Sequence, residues 1–107
     1  MYVNTTGAYN VALGNNALDA NTTGGYNVAI GMDALGANTT GVKNASLGYQ
    51  ALSSNTTGDN NFAAGYRSGY SNQTGSGNIF LGYEAGYYET GSDKFYLATS
   101  GLSLIHI

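Results

Sequence analysis

Asn21-Thr22-Thr23-Gly24-Gly25-Tyr26-Asn27-Val28-Ala29-Ile30-Gly31-Met32-Asp33-Ala34-Leu35-Gly36-Ala37 is one copy of a 17-residue unit that runs through most of the chain. The copy before it starts at Asn4, and later copies start at Asn38, Asn55 and Asn72. Four columns never vary. The first position is always Asn, and the fourth always Gly (Gly7, Gly24, Gly41, Gly58, Gly75). The seventh is Asn10, Asn27, Asn44, Asn61 and Asn78, and the eleventh is Gly14, Gly31, Gly48, Gly65 and Gly82. A fixed period decides architecture before any local propensity does, so this is a repeat protein.

Positions eight to ten read Val11-Ala12-Leu13, Val28-Ala29-Ile30, Ala45-Ser46-Leu47, Phe62-Ala63-Ala64 and Ile79-Phe80-Leu81. Large outer residues around a mostly small middle one suit a short strand with its larger side chains on one face. Asn and Gly bracket that strand as turn formers, because both tolerate positive φ. Asn-Thr-Thr-Gly supplies a second corner. The remaining segment, such as Asn15-Asn16-Ala17-Leu18-Asp19-Ala20, fits a second short strand or one helical turn. A full helix is excluded by two obligate Gly per unit, each costing about 1 kcal/mol against Ala.

One unit is too small to bury anything alone, and its strand needs a neighbour for its backbone groups. Stacked copies supply one about every 4.8 Å and align identical residues into ladders. The fold class is therefore all-β, a β-solenoid or β-roll with one 17-residue repeat per coil. A coil this small encloses little volume, so its Val/Ile/Leu face calls for another surface to cover it, and oligomerisation is the simplest source.

Composition narrows the partners. Of 107 residues only 8% are charged, and the net charge is −3. Three basic residues (Lys43, Arg67, Lys94) cannot neutralise a phosphate backbone, so nucleic acid is excluded as a partner. Without Cys there are no disulfides and no thiolate metal ligands. No apolar run approaches a transmembrane helix, and Met1-Tyr2-Val3-Asn4 lacks the regions of a signal peptide. Met1 enters the repeat almost at once, which suits an internal start in a longer protein.

The pattern Gly-x-x-Asn-Val-Ala-Ile-Gly-x-x-Ala-Leu resembles the head repeats of YadA-like trimeric autotransporter adhesins. With its Asn-Thr-Thr-Gly corner it is still more similar to repeats of bacterial and phage tail fiber domain-containing proteins. The resemblance covers residues 4 to about 100. It implies a trimeric, left-handed parallel β-roll with the Val-Ala-Ile-Gly strand turned inward. The 17-residue unit is longer than the usual autotransporter head unit. The resemblance further implies a structural and adhesive segment of a surface-exposed fiber, extracellular or on a phage virion, acting as a homotrimer toward an unidentified host-cell or environmental surface ligand.

Residues 1–87 form the five-coil array. Beyond Tyr88 the register loses one residue, and Gly91-Ser92-Asp93-Lys94-Phe95-Tyr96-Leu97-Ala98 stands where a regular strand is due. Residues 88–101 are expected to be a capping coil, which in the tail-fiber-like proteins leads toward a C-terminal intramolecular chaperone that is absent here. Residues 102–107, Leu-Ser-Leu-Ile-His-Ile, abandon the repeat and match what a common transposase-derived sequencing adapter encodes in frame. They are expected to be a non-native tail, and His106 is given no role.

Chemistry is hard to place. The acids Asp19, Asp33, Asp59, Glu84, Glu89 and Asp93 fall mostly in different columns, which suits a solvated surface better than paired acid and base. Nucleophile, phosphate-loop and calcium-roll motifs are missing, so neither catalysis nor a cofactor or metal is expected. The N-x-[ST] triplets at Asn4, Asn21, Asn38, Asn44, Asn55 and Asn72 read as by-products of the turn motif. The Thr pairs form a hydroxyl ladder that could order water, which makes an ice- or water-binding solenoid the alternative function. Tyr49, Tyr66, Tyr70, Tyr83, Tyr87 and Tyr88 form a candidate binding surface, with packing between coils or protomers the favoured reading.

Overall fold

The computed structural model describes residues 6–99 and, over 102–106, the backbone strand alone; the first corner, Asn4-Thr5, lies outside the described residues, as does Gly101. The strands are β1 (Val11–Leu13), β2 (Val28–Ile30), β3 (Ala45–Leu47), β4 (Phe62–Ala64), β5 (Ile79–Leu81), β6 (Phe95–Thr99) and β7 (Leu102–His106). They lie in chain order in one sheet, β1 to β6 parallel and β7 antiparallel to β6. Val11 pairs with Val28, Val28 with Ala45, Ala45 with Phe62 and Phe62 with Ile79, so each residue faces its equivalent one repeat later. The chain is a β-solenoid with one repeat per turn.

Each strand is short because Asn and Gly turn the chain at its two ends. Positions twelve to seventeen are neither a strand nor a helical turn. They are linked turns, closed by Ala34 N to Gly31 O at 3.2 Å, Gly36 N to Asp33 O at 3.1 Å and Asn38 N to Leu35 O at 3.1 Å. Alternate amides leave the turn and bond a neighbouring coil, as Leu35 N does to Ala51 O at 3.1 Å. Aiming those amides along the stack places positions thirteen and fifteen at positive φ. Asp33 (57°), Leu35 (50°), Gln50 (55°) and Leu52 (52°) all adopt it. Stacking thus overrides an intrinsic cost of about 1–2 kcal/mol per residue.

The interior is narrow. It holds the middle strand residue (Ala29, Ser46, Ala63, Phe80), Ala17, Ala34, Ala51, Ser68 and Ala85 at position fourteen, and Leu18, Leu35 and Leu52 at position fifteen. Coils four and five carry Gly69 and Gly86 where earlier coils carry Leu. Phe80 explains the change: a Cβ on Gly69 would meet its Cδ2 at 2.5 Å, and a Cβ on Gly86 would run into Cδ1 of the same ring. One buried ring replaces two leucines, which keeps the packing dense. The strand therefore turns only its middle residue into the chain's own core. Its outer residues face out, with Val11 52%, Leu47 53% and Phe62 44% exposed, so the inward orientation implied by the resemblance does not hold within a single chain.

The C-terminal segment is more regular than its sequence suggests. Phe95 to Leu97 pair in parallel register with Ile79 to Leu81, so residues 88–99 complete a sixth rung where a regular strand was not expected. The missing residue falls in the corner, where Glu89-Thr90-Gly91 replaces Asn-Thr-Thr-Gly. Glu89 rebuilds the corner: Oε2 accepts from Gly91 N at 2.9 Å and Thr90 N at 3.1 Å, and Oε1 from the Tyr96 hydroxyl at 2.8 Å. The suspected tail runs back along this rung as β7, with a register shift between Leu97 and Ala98.

The Gly91 amide, with the Tyr96 hydroxyl, holds the Glu89 carboxyl below the usual range. Burial, then Glu89, pushes the Tyr96 phenol up to about 12. A depressed carboxylate pKa contributes stability above the unfolded value, and that contribution fades as pH falls through the folded one. Glu89→Gln should therefore lower Tm at pH 7 by about 2–4 °C, a small effect because the site is solvent-screened. The difference from the parent chain should vanish on acidification below the carboxylate range, as followed by thermal circular dichroism.

Candidate functional site

Two files of mostly buried asparagine tie each coil to the next. In the first, Nδ2 of Asn38, Asn55 and Asn72 donates to Oδ1 of the equivalent residue one coil earlier at 2.9–3.0 Å. Each also donates to the Gly carbonyl of its own corner, at 3.0 Å. In the second, Oδ1 of Asn10, Asn27, Asn44, Asn61 and Asn78 accepts the next coil's backbone N–H at 2.9–3.0 Å. Nδ2 of the same residues donates to the next coil's corner carbonyl at 2.8 Å. Two amides thus converge on each of Gly24, Gly41, Gly58 and Gly75 O. Asparagine alone carries a donor and an acceptor on one short fork, which is why both columns are invariant.

The files also dispose of the acceptor triplets. Asn21, Asn38, Asn55 and Asn72 are fully buried and Asn44 is 1% exposed, so none of these carboxamides can accept a glycan in the folded chain. The threonine pair is divided in function. Oγ1 of Thr22, Thr39 and Thr56 bonds the next coil's carbonyl at 3.1–3.2 Å. The second member, Thr23, Thr40, Thr57 and Thr74, stays exposed at the corner. A single outward file at a corner is narrower than the paired hydroxyl ladder that the sequence suggests.

The tyrosines are stacked. Tyr49, Tyr66 and Tyr83 form one ladder with centroids 5.3 and 5.1 Å apart, and Tyr70 and Tyr87 form a second at 4.8 Å. Tyr88 meets Tyr87 edge-on at 4.7 Å. Interplanar angles of 4–12° within the ladders mean that neighbouring rings lie face to face along the stack. That suits packing between coils better than a platform for a sugar ring. Arg67 ties the ladders together, its guanidinium 5.1 Å from the Tyr66 centroid and 5.8 Å from that of Tyr70, with Nε donating to Gln50 Oε1 at 2.9 Å. Sequence reading missed this role because Arg67 has no counterpart in its column.

Among the described residues nothing packs over the sheet's outer face. Two apolar columns cross the parallel strands: Val11, Val28, Ala45, Phe62, Ile79 and Phe95, beside Leu13, Ile30, Leu47, Ala64, Leu81 and Leu97. Neither column contains a polar side chain. A shallow hollow of about 200 Å³ opens in it, lined by Val28, Ile30, Ala45, Ser46, Leu47 and Phe62. Among the described residues no group of three or more His, Cys, Asp or Glu side chains could hold a metal ion, and no helix is long and apolar enough to cross a membrane.

No family model, curated protein or solved structure matches the chain.

Proposed function

We propose that this chain is a structural and adhesive segment of a surface-exposed fiber, built from three copies whose outer strand faces meet along a shared axis. The observation that carries the reading is the continuous two-column apolar face, over which no element packs among the described residues. Contiguous apolar surface of this kind marks an interaction site. The asparagine files make each copy a stiff spacer, and three copies multiply weak contacts with a host-cell or environmental surface through avidity. On this reading the segment works outside the cell or on a virion, without catalysis or cofactor.

The test is the solution mass of the chain, measured by light scattering across a dilution series. The expected result is a species of three times the 11.0 kDa chain mass. A folded monomer at every concentration would remove the proposal.

A further inference from the structure

We infer that Phe62 and the hollow beside Ala45 form a knob and hole through which copies of this chain engage, Phe62 of one copy filling the hollow of its neighbour. The inference deepens the assembly reading above and rests on it. Within the first outer column, Ala45 is the lone small residue and the next rung carries Phe62, 44% exposed. The hollow left by Ala45 is lined by carbon, and every side chain of the two outer columns is apolar.

A second copy is the occupant best matched to it. Its rungs repeat at the same spacing of about 4.8 Å, so facing columns stay in step along the whole contact. Copies around a common axis meet at equal heights. Phe62 then has to lean across one rung to reach the neighbour's Ala45, a distance within the length of its side chain. Charge points to the same occupant. The chain carries a net charge of −3, and its six acids all lie outside the outer strand columns. Two identical acidic chains can meet through this face without setting carboxylate against carboxylate.

The experiment measures the concentration at which the full chain dissociates, by light scattering on dilution, for the parent and three variants. Phe62→Ala removes the knob, Ala45→Phe fills the hole, and the double variant A45F/F62A moves knob and hole to exchanged rungs. Both positions face away from the coil core, so each variant should keep the parent's circular dichroism, and should melt as the parent does at dilutions where both are dissociated. Each single change is expected to raise the dissociation concentration roughly a hundredfold, the scale of losing or misplacing one buried phenyl ring. The double variant should return to within about tenfold of the parent, although its composition is unchanged. An assembling parent whose single variants associate normally, or whose double variant is no better than the singles, would overturn the knob and hole alone. A parent that never assembles would overturn the assembly reading as well.

Discussion

Asn44→Asp should lose a large part of the chain's stability at neutral pH and regain much of it in acid. Asn44 is 1% exposed, and its Nδ2 donates to Gly58 O while its Oδ1 accepts from Asn61 N. Aspartate has nearly the same shape, and one oxygen can still accept from Asn61. The other would face the Gly58 carbonyl, oxygen against oxygen, in a buried site. The ionised form is penalised twice, by burial and by that contact, so the folded-state pKa must rise. A rise of about three units corresponds to about 4 kcal/mol lost at pH 7, against a typical total of about 5–15 kcal/mol. The sign follows from linkage: a raised carboxyl pKa costs nothing below the unfolded value of about 3.9, and the cost grows as pH climbs toward the folded value. Protonated, the new carboxyl can donate to Gly58 O as the amide did. Melting at pH 4 and pH 7 beside the parent tests this, and equal Tm values for both chains at pH 7 would contradict it.

Gly48→Ala should be equally damaging, for a different reason. Gly48 has φ of +132°, a conformation that is essentially glycine's alone, and a Cβ there would sit 2.7 Å from Gly65 O and 2.9 Å from Gly65 C. Neither atom can give way, because Gly65 stacks in turn on Gly82. Backbone strain and rung separation together should cost more than about 4 kcal/mol, in the range reserved for named structural faults. Gly25→Ala is the control. Gly25 lies outside the invariant columns and off the left-handed region, and its nearest contact would be Ala8 O at 3.0 Å. It should change stability by about 1 kcal/mol or less. Similar denaturation midpoints for the two variants would refute the stacking argument.

The comparison of Gly48 with Gly25 shows how far the sequence could be read. Invariance across copies separates a glycine that another coil presses against from one that is incidental, and the period alone places the strands and their register. The crowding of the Val/Ile/Leu face was legible too, because a 17-residue coil has little room inside, and Val11, Leu47 and Phe62 are indeed exposed. What the sequence hides is anything that depends on the shape of the coil. Leu18, Leu35 and Leu52 carry no signal of positive φ, since leucine disfavours it and only inter-coil hydrogen bonds impose it. Gly69 and Gly86 look like a loss of packing until Phe80 is found between them. The sixth rung was obscured because a one-residue deletion in a corner shifts the count without disturbing the ladder: Lys94 N still bonds Asn78 Oδ1 at 2.9 Å.

Hydrogen exchange of the asparagine side chains, read residue by residue in amide NMR spectra, probes the rung-on-rung arrangement most directly. The carboxamides of Asn27, Asn44 and Asn61, locked between coils, should exchange about a thousandfold more slowly than those of exposed Asn15 and Asn60. Equal, rapid exchange at all five would mean that the files do not exist and that the units do not stack.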